Sequence, residues 1–364
     1  MGRLPPAMET DDEGASGNEA ALPLPTPVHP ATPVCPLFGQ CGGCQLQHVP
    51  YDEQLTWKTE QVRRLFAAAL PGDASRIEAL VEPCVGSPRE YGYRSKLTPH
   101  FPRPRGGQVP PIGFIRIGLP RRTLDVPQCP LATDAINQRL TEVRAEVASR
   151  IATYRRGATL LLRDAASGVT TDFRAVITEQ VGDLTLQFSA ADFFQNNPFL
   201  LPVMTAHIAA EARTGGARYL VDAYCGSGLL TLAAAPGFER AFGVEVSPSS
   251  VAWARQNAAR NGRETCTFLA ADATRIFADL PSEIRGADAA AIVDPPRKGC
   301  SPEFLAQLVA FGPGTIVYVS CNPETQVRDL VPLRAAGYRV TRVVPFDMFP
   351  QTRHLECVAT LTRG

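Results

Sequence analysis

Three reactive side chains in the C-terminal half stand where neighbouring residues would hold them firmly. Cys321 follows the apolar run 316–320, and Asn322-Pro323 behind it ends a strand and opens a helix. A thiol near a helix N-terminus can ionise at a lowered pKa and act as a nucleophile. Asp294 follows the apolar run 289–293, and Pro295-Pro296 stiffens the backbone after it. Glu356 precedes the apolar segment 357–361; partly desolvated there, its carboxylate suits general-base work. His354 shares strand parity with Glu356, so the two face one side.

A second group could hold a cofactor. Residues 219–228 form an apolar strand that turns on Gly226 and Gly228 into an apolar helix, which allows close approach of a ligand to backbone. Tyr224 lies in that turn. The next strand, 241–245, ends in Glu245, a carboxylate placed to accept both hydroxyls of a ribose. Position 231 is Thr rather than the third Gly of a dinucleotide fingerprint, and no phosphate-binding Lys-Ser/Thr follows. A nucleoside without a pyrophosphate fits, and S-adenosylmethionine answers that description. Asp272 is a weaker candidate for its adenine edge.

Cys35, Cys41 and Cys44, the last two separated by Gly42-Gly43, have metal-ligand spacing, and Cys129 is the best distant fourth ligand. Four thiolates suit a [4Fe–4S] cluster or zinc, and spacing leaves both open. Cys84, Cys225, Cys266, Cys300 and Cys357 read as packing residues.

The elements that must position these groups follow from periodicity. Strand-like runs at 219–223, 241–245, 289–294 and 315–320 alternate with helix-like runs at 199–213, 248–260, 302–311 and 323–336. This is α/β patterning, with helices on both faces of a sheet. Residues 339–361 would add an antiparallel hairpin. Upstream, Tyr51, Leu55, Val62, Phe66 and Ala69 recur at helical spacing; residues 133–153 also read as helix, and 158–163, 169–178 and 183–189 as strands. The division expected is a disordered Pro-rich tail at 1–34, an α+β domain at 35–190 whose helix at 51–70 could pack on its neighbour, and a second domain at 191–364.

The 364 residues hold 36 bases and 36 acids, so net charge argues for no nucleic-acid partner. The tail alone is acidic, with five acids against Arg3, which leaves the body about +4. Bases concentrate at Arg89, Arg94, Lys96, Arg103, Arg105, Arg116, Arg121 and Arg122, interleaved with Tyr91, Tyr93, Phe101 and Phe114. That stretch is a candidate surface for phosphates and stacked bases. No apolar run is long enough to span a membrane, and no signal peptide is legible; a cytoplasmic monomer is the expectation.

These residues together resemble the RNA uracil-5-methyltransferases that use S-adenosylmethionine. The resemblance runs through Phe193-Phe194-Gln195-x-Asn197, Asp222-x-Tyr224-Cys225-Gly226-x-Gly228, Asp294-Pro-Pro-Arg297, Ser320-Cys321-Asn322-Pro323-x-Thr325 and Phe349-Pro350-Gln351-Thr352-x-His354-x-Glu356, in that order. It implies a Rossmann-like methyltransferase domain beside a smaller cluster-bearing domain. Cys321 would be the nucleophile and Glu356 the proton acceptor. Gln195, Tyr224, Glu245 and Asp294 would serve the cofactor site. The resemblance also favours [4Fe–4S] over zinc at Cys35, Cys41, Cys44 and Cys129. Leu229 departs from members that carry Asn there. Too few residues precede Cys35 for the N-terminal β-barrel of many relatives, which points toward 23S ribosomal RNA as substrate. A tRNA T-loop uridine is the alternative within this chemistry. A non-catalytic RNA-binding iron–sulfur protein is the alternative of another class, and intact Cys321 and Glu356 argue against it.

Overall fold

The computed structural model describes residues 23–71, 76–272, 275–277 and 280–363. Most of the tail expected to be disordered lies outside them. Residues 23–34 form no helix or strand, yet Ala31 donates its amide to the His48 carbonyl and Trp57 donates its indole N–H to the Pro23 carbonyl, both at 2.9 Å.

Seven strands build the central sheet: β1 (Tyr219–Ala223), β2 (Arg240–Glu245), β3 (Cys266–Ala270), β4 (Ala289–Val293), β5 (Thr315–Ser320), β6 (Tyr338–Phe346) and β7 (Glu356–Arg363). Their spatial order is β3-β2-β1-β4-β5-β7-β6. β1 to β5 run parallel, and β7 enters antiparallel between β5 and β6. β1, β4 and β5 are buried throughout, which is why their sequences are continuously apolar rather than alternating. The expected C-terminal hairpin is β6–β7, and it completes the sheet.

Seven helices matter for the site: α1 (Tyr51–Ala69), α2 (Asp134–Ser149), α3 (Leu201–Arg213), α4 (Leu229–Ala234), α5 (Pro248–Arg260), α6 (Pro302–Phe311) and α7 (Pro323–Ala335). Three of them begin with one device, a capping side chain followed by proline. Ser247 and Ser301 accept amide bonds from Ser250 and Phe304, and Asn322 accepts from Glu324. Each oxygen satisfies an amide that has no partner within the helix, and each proline gives up no needed donor. The chain is thereby forced to leave the sheet at the carboxyl ends of β2 and β5.

The two sheet faces have separate cores. Leu220, Ile292, Val317 and Val319 face α3, α4 and α5. Val221, Val293, Ile316 and Tyr318 face the other way, among Phe304 and Leu308 of α6, Leu330 of α7, and Val62, Leu65 and Phe66 of α1. The N-terminal helix therefore covers the sheet of the C-terminal half. The hairpin Val176–Val181/Leu184–Ser189 also shares the first core through Leu186 and Phe188, although it precedes residue 190.

Residues 96–170 form two small sheets packed on α2. Here the strands at 158–163 and 169–178 each prove to be two. Ala158–Thr159 and Leu162–Ala165 join different sheets, while Gly168–Thr170 and Val176–Val181 are separated by a turn. Among the described residues no helix is long and apolar enough to cross a membrane.

Candidate active site

The parallel strands deliver their following residues to one edge, where ligands bind in open α/β sheets. Ala223 pairs with Val293 and Val293 with Tyr318. Tyr224, Asp294 and Cys321 therefore leave adjacent strands on the same side. Ser320 pairs with Cys357 across the antiparallel β5–β7 ladder. Cys321 and Glu356 are the next residues beyond that last pair, and the Glu356 carboxylate lies close enough to act on the Cys321 thiol. A sulfur on one strand end and a carboxylate on the next thus share one recess.

The electrostatics agree. Glu356 is 3 % exposed. Burial drives its carboxyl well above the usual range and the Asp294 carboxylate adds to the rise; a hydrogen bond from Gln195 and the Arg297 charge oppose it. Burial also raises the Asp294 carboxyl. The Cys321 thiol is pushed up to about 12 by burial and then by Glu356 and Asp294, with Arg297 pulling the other way. This corrects the expectation of a thiol ionised by its helix terminus. The first amides of α7 are engaged elsewhere: Asn322 binds the Ser320 hydroxyl and Glu324 binds the Asn322 side chain. The two carboxylates outweigh any help from the helix. His354 falls to about 4, first from burial and then from nearby Arg297, so it is neutral at pH 7.

The cofactor turn lies next to this recess. Tyr224, Gly226 and Gly228 have φ of 64°, 53° and 94°, so the chain coils tightly through the left-handed region; the amides of Cys225, Gly226 and Gly228 are taken up by the Val244 carbonyl, the Glu245 carboxylate and the Cys225 carbonyl. At Gly243 on β2, an added Cβ would lie 2.5 Å from Phe268 and 2.9 Å from the Cys225 sulfur. Half-buried Glu245 accepts the amides of Ser247 at 2.9 Å and Gly226 at 3.3 Å, which ties the carboxylate to the turn. The Tyr224 ring meets Phe304 at 5.3 Å, and Asp272 lies close enough to raise its hydroxyl further. Beneath the turn, Asp222 is wholly buried. One of its oxygens accepts from Thr231 and the other has no partner; burial, with Asp294 and Glu245 adding, lifts it to about 8.

The expected residues therefore gather in two adjoining groups. Tyr224 and Glu245 stand at the cofactor turn, and Cys321, Glu356 and Asp294 at the recess. Gln195, assigned above to the cofactor, donates a hydrogen bond to Glu356. Arg297 belongs to the recess and was missed; its signal was the Asp294-Pro-Pro-Arg297 run itself. Phe193, two residues before Gln195, is 78 % exposed, whereas Tyr93 and Phe101, expected to offer stacking faces, are buried. Lys96 is also withdrawn from the basic surface, because its ammonium donates to the Ala191 and Asp192 carbonyls. Arg103, Arg105, Arg116, Arg121 and Arg122 remain exposed.

Cys35, Cys41, Cys44 and Cys129 converge. After burial, Cys41 and Cys44 are each raised by the other thiols of the set. Amides approach the sulfurs, Gly43 at Cys41 and Leu131 and Ala132 at Cys129. Among the described residues, however, no group of three or more His, Cys, Asp or Glu is arranged to hold a metal ion. The expected four-cysteine ligand set is not formed as a single-ion site.

Comparison with known proteins agrees with this architecture. Residues 174–364, more than half of the chain, match the family model described as tRNA (Uracil-5-)-methyltransferase. The chain belongs to that family. It is 41 % identical over 347 residues to the tRNA (uracil(54)-C(5))-methyltransferase of Schizosaccharomyces pombe, and 33 % identical over 397 residues to that of Saccharomyces cerevisiae. Both alignments take in 90 % of this chain but only 65 % and 62 % of the relatives, so it spans somewhat under two thirds of their length. The crystal structure of the Pyrococcus abyssi tRNA (uracil-54, C5)-methyltransferase with S-adenosyl-L-homocysteine superposes with a TM-score of 0.68, covering 88 % of this chain and 86 % of that one, at 23 % identity. It supports the Rossmann-like fold.

Proposed function

We propose that the protein transfers a methyl group from S-adenosylmethionine to C5 of a uridine in tRNA. The observation that carries this reading is that Cys321 and Glu356 follow directly from the Ser320–Cys357 pair on adjoining strands, with Glu356 and Asp294 both close enough to act on the thiol. The names of the fungal relatives favour tRNA, at uridine 54, over the 23S ribosomal RNA expected above.

The cofactor supplies an electrophilic methyl group when bound. The tight Tyr224–Gly228 turn and the half-buried Glu245 carboxylate beside it fit a nucleoside, with one acid for the ribose. Uracil C5 is a weak nucleophile. Addition of the Cys321 sulfur to C6 makes C5 enolate-like, and the thiol proton passes to the adjacent Asp294. C5 then takes the methyl group. Glu356 removes the C5 proton, the C5–C6 double bond re-forms, and the sulfur leaves and recovers its proton. Burial suits Glu356 to this work, since a carboxylate is the stronger base the further its pKa is raised. A base must leave its stack to reach Cys321, and exposed Phe193, two residues before Gln195, is the candidate stacking face for it.

We assign Cys35, Cys41, Cys44 and Cys129 to a [4Fe–4S] cluster. Each thiolate of such a cluster binds a different iron, so the sulfurs stand further apart than around one zinc. What supports the assignment is the mutual approach of these thiols and the amides directed at the Cys41 and Cys129 sulfurs, which would stabilise bound thiolates. The proposed reaction needs no electron, so its role is structural. Division into a cluster-bearing part and a methyltransferase part accompanies this reading.

Labelled methyl transfer to tRNA transcripts tests the proposal. Incorporation is expected with uridine at position 54 and not with cytidine there, and Cys321→Ala is expected to bind cofactor without turnover. Methylation by that variant, or equal labelling of the cytidine transcript, would overturn it.

A further inference from the structure

The segment that delivers Glu356 is gripped from outside the methyltransferase sheet. Between β6 and β7 the chain runs through 347–355 with no regular structure apart from turns. Helix α1 reaches it with two buried polar side chains. Lys58 and Asp347 form an ion pair at 2.5 Å, both side chains wholly buried. The same ammonium donates to the His354 carbonyl at 2.8 Å and the Phe349 carbonyl at 3.3 Å. One charge therefore ties three points of the segment, the last of them two residues before Glu356.

One helical turn earlier, Gln54 binds Gln351 twice. Its side chain donates to the Gln351 side-chain oxygen at 2.9 Å and accepts the Gln351 amide at 3.1 Å. Gln351 has φ of 68° without being glycine, a conformation that persists only where surroundings impose it. The loop after Cys44 completes the grip: the amides of Gln45 and Leu46 both donate to the Gln351 carbonyl, at 3.1 and 3.0 Å.

An ammonium placed in a core costs far more than it returns unless a fixed geometry repays it. A methionine at position 58 would pack against the sheet without that cost. The arrangement is explained if the segment must be held in register, because a 1 Å error in a catalytic group can cost about a hundredfold in rate. We propose that Lys58 and Gln54 are positioning residues for the general base: through Asp347, Gln351 and the His354 carbonyl they fix Glu356 over the nucleobase carbon whose proton it removes. This rests on the reading of Cys321 and Glu356 given above. In that reading the C5–H electron pair re-forms the ring double bond and expels the Cys321 sulfur, while the proton goes to Glu356. Loss of positioning should slow this step selectively and leave the covalent protein–RNA adduct standing.

The test uses the full chain with tRNA tritiated at uridine C5. Lys58→Met combined with Asp347→Asn removes the ion pair without stranding either charge, and Gln54→Leu breaks the second tie independently. In each folded variant, cofactor affinity should stay within about twofold. Tritium release should fall by about tenfold or more, and the fraction of enzyme trapped as adduct on denaturing gels should rise, as in Glu356→Gln. Tritium release at the parental rate, or a decline in rate with no added adduct, would overturn the proposal. Should the double variant fail to fold, Gln54→Leu decides between these outcomes. Failure of the underlying reading is distinct: the unaltered protein would then form no adduct that depends on Cys321.

Discussion

Replacing Asp222 by Asn should change how stability depends on pH. The Asp222 carboxyl is fully buried under the cofactor turn, with one oxygen bound by Thr231 and the other unpartnered. Its pKa rises from 3.8 to about 8, roughly four units at about 1.4 kcal/mol each, which sets a ceiling of about 6 kcal/mol. Below about pH 4 the folded and unfolded chains both hold the proton and the group contributes nothing. Between about pH 4 and about pH 8 the unfolded chain sheds it while the folded chain keeps it, so stability falls as pH rises. Above about pH 8 the loss is complete. The amide in the Asp222→Asn variant has no proton to shed in this range. Stability of the variant relative to the parent should therefore climb from pH 5 to pH 9, by about 3 kcal/mol once relaxation and water entry reduce the ceiling. Urea titrations followed by the fluorescence of Trp57 and Trp253 measure it. Parallel pH profiles would show that Asp222 is ionised in the fold, and would refute the reasoning.

Glu356→Gln should leave the C5 proton in place and trap a covalent protein–RNA adduct; rapid clean turnover would contradict its role. Single-turnover methyl transfer should rise with pH through neutrality, because the Cys321 thiol is raised and gives its proton to Asp294, whose carboxyl is also raised and must be ionised to take it; a flat profile from pH 6 to 9 would contradict this. Cys41→Ser should lose the brown chromophore and lower the melting temperature, and unchanged iron content would refute the ligand assignment. Gly243→Ala should destabilise the protein by about 1–3 kcal/mol, since its Cβ meets Phe268 and the Cys225 sulfur; an unchanged urea midpoint would refute that packing argument.

Local sequence was enough to place the α/β order, the helix start at Asn322, and the strand ends that carry Glu245, Asp294, Cys321 and Glu356. These are local matters: apolar runs set the strands, and a capping residue followed by proline sets where each one stops. The raised pKa values of Asp294, Cys321 and Glu356 arise only in the assembled fold. A helix terminus acting singly would have lowered the Cys321 thiol, but two carboxylates from β4 and β7 and burial raise it. The assembled fold also decided the use of α1, whose Gln54 and Lys58 read as ordinary polar residues until the 347–354 segment folds over them. Pairing across nearly three hundred residues has no local signature. Its strength comes from the removal of water, and only the assembled core removes it.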